Sequence, residues 1–138
     1  MALKVPNEGE LQLLDKMLLD ALSVDENYIL KLYRVNRTPG DTDTTSNYTE
    51  ANFTAYASKT LTRAGWNAAS TVSGKAESTY GTQQSWTSGT AGNTIFGYYI
   101  VAATSNKLLW AEKFGTPRVL AESDVLNLTP KFTLASES

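Results

Sequence analysis

The chain has no cysteine and no histidine. Without thiols there is no disulfide, no thiolate nucleophile and no sulfur-ligated metal, so a domain of this size must be held by packing or by partner subunits. Without imidazole the usual proton shuttle at neutral pH and the commonest transition-metal ligand are gone, and with them the centre of most hydrolase and metalloenzyme mechanisms. No apolar run approaches the ~20 residues a membrane-crossing helix requires. Met1 to Asn7 contains no hydrophobic stretch followed by a small-residue cleavage site, so synthesis in the cytoplasm is expected. Lys and Arg number 12 against 14 Asp and Glu, for a net charge of −2, and they are scattered singly. That leaves no basic stripe to neutralise phosphates, and neither nucleic acid nor membrane is an expected partner. The sequence has no Gly-x-Ser-x-Gly and no phosphate loop. No enzymatic activity and no cofactor are expected.

What the 138 residues do contain is the apolar fraction of a globular protein, 41%, spread along the chain. The length suits a single domain, residues 1–138, with an N-terminal arm and helix (1–24) followed by a β-sandwich (25–138). Over residues 7 to 22, Leu11, Leu14, Leu18 and Leu22 recur at helical spacing, widened by Leu13 and Met17. Asn7 and Glu10 have the spacing of a capping box, and Glu8 and Glu10 suit the positive end of the helix dipole, whereas Gly9 weakens the first turn. A helix this short is marginal alone in water, so its leucine stripe needs cover. Its own sheet can supply that, or a neighbouring subunit, and Leu14 and Leu18 are interface candidates on the second reading.

From Asn27 onward the hydrophobic period changes to two. Tyr28 to Val35 is apolar on both faces, as a central strand is. Residues 40 to 48 read as an exposed acidic loop, in which Asp41, Asp43 and the later Glu50 are oxygen ligands of the kind calcium takes. Phe53 to Arg63 reads as one strand, and residues 71 to 79 and 82 to 88 as two short polar ones. Thr94 to Ala103 and Lys107 to Phe114 form a hairpin across Thr104-Ser105-Asn106, where Asn takes the left-handed conformation. Val125 to Leu134 alternates as a further strand, with Pro130 demanding an edge or a bulge. The whole predicts a mainly β fold, a β-sandwich or jelly roll of about seven to eight antiparallel strands with one N-terminal α-helix.

Tyr28, Tyr33, Phe96, Tyr98, Tyr99, Trp110 and Phe114 lie in the strongest strand patterns and are expected in the core. Trp66 and Trp86 sit among polar neighbours and are candidate interface anchors. Asn-x-Ser/Thr sequons at Asn36, Asn47, Asn52 and Asn127 carry no weight without a secretory context.

The Leu-rich helix, Tyr28-Ile-Leu-Lys-Leu-Tyr, Tyr48-Thr-Glu-Ala-Asn-Phe-Thr-Ala-Tyr-Ala, Lys59-Thr-Leu-Thr, Phe96-Gly-Tyr-Tyr, Leu108-Leu-Trp-Ala-Glu-Lys-Phe and the closing Leu-x-Leu-Thr-Pro-Lys-Phe-Thr-Leu together resemble small virion proteins of tailed bacteriophages. The resemblance covers most of the chain from Tyr28 on and lies in texture and short phrases, with no diagnostic motif. It implies a capsid decoration (cement) protein on the capsid surface of the virion, bound to the major capsid protein and associated with itself as a homo-oligomer, typically a trimer. A tail, baseplate or receptor-binding subunit is the alternative in the same texture.

Overall fold

The change of hydrophobic period near Asn27 marks where helix gives way to sheet. In a computed structural model that describes residues 3–19 and 26–135, helix α1 (Asn7–Leu18) precedes nine strands. They are β1 (Tyr28–Tyr33), β2 (Lys59–Leu61), β3 (Ser70–Val72), β4 (Lys75–Thr79), β5 (Gln84–Thr87), β6 (Thr94–Ala102), β7 (Leu108–Val119), β8 (Val125–Leu128) and β9 (Lys131–Leu134). All pairings are antiparallel, in a four-stranded sheet β2-β1-β6-β7, a three-stranded sheet β3-β4-β9 and a two-stranded sheet β5-β8. The protein is therefore a mainly β sandwich with one α-helix among the described residues.

β1 is apolar on both faces because the four-stranded sheet is covered on both. On one face Leu30, Leu32, Tyr98, Ile100 and Trp110 pack against Trp86 and Leu126 of the β5-β8 pair, and Phe132 of β9 joins them. On the other, Tyr33, Tyr99, Val101 and Leu108 pack with Tyr48 from the segment after β1. The β6-β7 hairpin turns at Asn106, whose φ of 58° is the left-handed value expected of it. Opposite Ile100 and Val101 stand Trp110 and Leu108, so Leu109 is an extra residue in the ladder. That bulge lets Leu109 and Trp110, adjacent in sequence, enter the same core.

Several elements differ from the sequence expectation. Only Lys59–Leu61 of the strand expected over 53 to 63 forms. Ala55 has φ 74°, and a turn from Phe53 to Tyr56 sends both rings into one edge-to-face pair at 5.2 Å, where strict alternation would have put them on opposite faces. The polar strand expected over 71 to 79 is a hairpin, turned at Ser73 (φ 50°) and Gly74 (φ 78°), the two left-handed positions of a type I′ turn. The closing segment divides at Thr129-Pro130 into β8 and β9, which pair with different sheets; there Pro130 offers only its carbonyl, to Tyr80 N–H at 2.9 Å. The expected exposed loop at 40 to 48 is folded onto the sheet, with Asp43 and Tyr48 buried. The helix ends at Leu18, and the expected Leu22 lies outside the described residues.

Candidate protein interaction site

α1 docks through the side opposite Leu11, Leu14 and Leu18. Gly9 is buried against the Leu108 and Leu109 carbonyls, so close that a β-carbon there would collide with Leu109 O. Glu8 accepts a hydrogen bond from Leu108 N–H at 2.9 Å and pairs with Lys107 at 3.1 Å, and the capping box expected of Asn7 and Glu10 does not form. Pro6 occupies the cap position and makes no side-chain cap bond. One turn further on, Ser105 Oγ donates to Gln12 Oε1 at 3.2 Å. Last, Lys16 forms a buried ion pair with Glu26, whose second carboxylate oxygen accepts from Thr104 N–H at 2.8 Å. Burial pushes the Glu26 pKa up, but the hydrogen bonds from Lys16 and Thr104 outweigh it and hold the carboxyl below its ordinary value. Glu8, Gly9, Gln12 and Lys16 recur at helical spacing, so a polar stripe faces the sheet.

Leu11, Leu14 and Leu18 therefore face outward, while Leu13 is half-buried beside Trp66. Leu11 is 63% exposed, Leu14 50% and Leu18 71%, with Met17 and Leu19 also exposed. This corrects the expectation that the sheet of the same chain covers the stripe. The residues that decide it, Glu8, Gly9 and Lys16, carried a signal: a glycine on the helix face opposite the leucines, flanked along that face by ionisable groups.

The two tryptophans part company. Trp86 is not an interface anchor: it is 3% exposed, its indole N–H donates to Ala57 O at 2.8 Å, and it pairs across the β5-β8 ladder with Leu126. Its polar neighbours Ser85 and Thr87 point the other way, as strand alternation requires. Trp66 is half-buried, edge to face with Tyr80 at 5.4 Å and Trp110 at 5.9 Å, and lines a groove of about 250 Å³ with Leu13, Tyr28, Arg63 and Phe132. Leu14 and Leu18 thus share one surface; Trp86 is not part of it, and Trp66 meets α1 at Leu13.

The carboxylates of the 40 to 50 segment do not converge on a cation site. Asp41 pairs with Lys4, Glu50 with Lys31 at 3.3 Å, and Asp43 with Arg37. Asp43 also accepts from Tyr48 Oη at 2.7 Å and Gly40 N–H at 3.1 Å. The Arg37 hydrogen bonds pull its pKa down to about 2 against the opposing effect of burial, with Tyr48 and Gly40 adding to the pull. Tyr48 in turn is pushed far up, by burial and then by Asp43. Among the described residues no three carboxylates gather as a metal site would need, and no helix is long and apolar enough to cross a membrane.

A short arm completes the surface. Residues 67 to 76, the β3-β4 hairpin and its approach, are exposed throughout, and among the described residues β3 has no neighbour on its outer edge. By contrast the outer edge of β7 is paired with Lys4 at Ala111, with N–H···O bonds of 2.9 Å in both directions, and carries an irregular stretch through Pro117. Comparison with models of known protein families and with curated proteins finds no match to the chain.

Proposed function

We propose that this chain is a non-enzymatic structural protein of a tailed-bacteriophage virion, a decoration (cement) protein that binds the major capsid protein at the capsid surface and associates with itself as a trimer. The observation that carries the reading is the exposed leucine face of α1. Burying a leucine is worth ~1.5 to 3 kcal/mol, and a helix held to its own sheet by a glycine contact and ion pairs keeps that free energy for a partner. The site is prebuilt: α1 is fixed by bonds to residues about a hundred positions away, so little ordering is lost on docking. The projecting β3-β4 arm, small and polar, suits the contacts between copies, and three shell contacts made together hold far longer than one.

The test is light scattering on the free protein followed by sedimentation with emptied heads and, separately, with tails. A trimer that travels with heads is expected. A chain that is monomeric both free and bound, or that travels with tails and not heads, overturns the reading, the second result in favour of a tail or baseplate subunit.

A further inference from the structure

The leucine face has a charge pattern that narrows what can cover it. At 100° per residue, Leu11, Leu14 and Leu18 fall within about 60° of arc. Glu10 and Met17 border that strip on one side, Asp15 and Glu8 on the other. Glu8 is neutralised by Lys107, but neither Glu10 nor Asp15 has an ion-pair partner among the described residues. The helix has one cation, Lys16, and it lies on the opposite side in its buried pair with Glu26. The strip is therefore apolar at its centre and acidic at both margins.

We infer that α1 docks into a different protein, one that presents an apolar strip flanked by lysine or arginine, and that it does not pair with α1 of a second copy. Two copies of this face would align their leucines only by setting Glu10 and Asp15 of one helix against those of the other. At positions that flank a helical seam, such like-charge contacts select against the homotypic pair. Acidic margins oppose docking on an anionic lipid surface for the same reason. Basic flanks on the partner turn both margins from repulsive to attractive and make the encounter faster at low salt. The inference rests on the assembly role proposed above and names the chemistry of the surface that α1 meets; self-association then runs through other parts of the molecule.

Two synthetic helical peptides test it. Both carry leucines at the seam positions; one has lysine and the other glutamate at the flanking positions. Fluorescence anisotropy against the full chain should show the lysine peptide binding at least about tenfold more tightly, with affinity falling as salt rises. The variant Leu14→Asp with Leu18→Asp separates this from general attraction to an acidic protein. It makes the face more acidic, so unspecific binding would strengthen, whereas docking on the leucines should weaken by about tenfold or more. Equal binding of the two peptides, undiminished binding by the Leu14→Asp, Leu18→Asp variant, or self-association of the parent that Leu14→Asp abolishes would each overturn the inference. Heads that still capture the double variant as well as the parent would also overturn it and leave the decoration role standing. A parent that prefers the lysine peptide but ignores heads would do the reverse.

Discussion

Replacing Asp43 with Asn should loosen the segment that covers the second face of the four-stranded sheet, and the size of the effect follows from the site. The Asp43 carboxylate is 1% exposed and receives bonds from Arg37, Tyr48 and Gly40, so Asn of the same shape keeps the packing but removes the charge that all three address. Its pKa falls from 3.8 to about 2 on folding, which at about 1.4 kcal/mol per pH unit corresponds to roughly 2 to 3 kcal/mol. The Arg37 side chain is 35% exposed, and solvent screening brings the expectation to about 2 kcal/mol, or about 8 °C in Tm. The pH dependence has a definite sign. A carboxyl whose folded pKa lies below its unfolded one stabilises fully above the unfolded value and loses that contribution as the pH falls through the folded one. The gap between the parent and Asp43→Asn should thus be complete at pH 6, fall to about half at pH 3 and vanish below the folded pKa of about 2. Urea unfolding followed by tryptophan fluorescence at several pH values reads it directly. Coincident midpoints at neutral pH, or a gap as large at pH 3 as at pH 7, would refute the account.

Two further substitutions probe the backbone. Gly9→Ala drives a β-carbon into the Leu109 carbonyl and should detach α1 while the sandwich persists; the readout is hydrogen exchange at Leu108 N–H, which Glu8 now protects, and retained protection there would contradict the docking. Ala55→Gly relieves a φ of 74° and should stabilise by about 0.5 kcal/mol, since the left-handed strain removed outweighs the added freedom of the unfolded chain. A loss of stability in thermal unfolding would show that Ala55 is not strained there.

What the sequence alone determined is what short-range physics writes into a pattern. The period of two gave the strands of the central sheet, and double-sided apolarity placed Tyr28–Tyr33 between two neighbours. Asn106 supplied the left-handed residue the β6-β7 turn needs, and Pro130 marked an irregularity in the closing strand, although the parting of β8 and β9 to different sheets was not written there. These need only a residue and its near neighbours. The same rule of alternation, applied to Ser85-Trp86-Thr87, would have placed Trp86 inside. The tertiary structure decided which way α1 faces. Hydrophobic periodicity shows that a helix has two sides, and the usual preference for burying leucine pointed to the wrong one. The outcome depends on Gly9 fitting against Leu109, Glu8 meeting Leu108 and Lys16 meeting Glu26. The burial of Asp43 is of the same kind: Arg37, Tyr48 and Gly40 are close in sequence, but the tyrosines that shelter them, Tyr33 and Tyr99, come from β1 and β6. Contacts across so long a stretch of chain leave no periodic trace, because each is made by single residues whose partners are set only when the sheet has assembled.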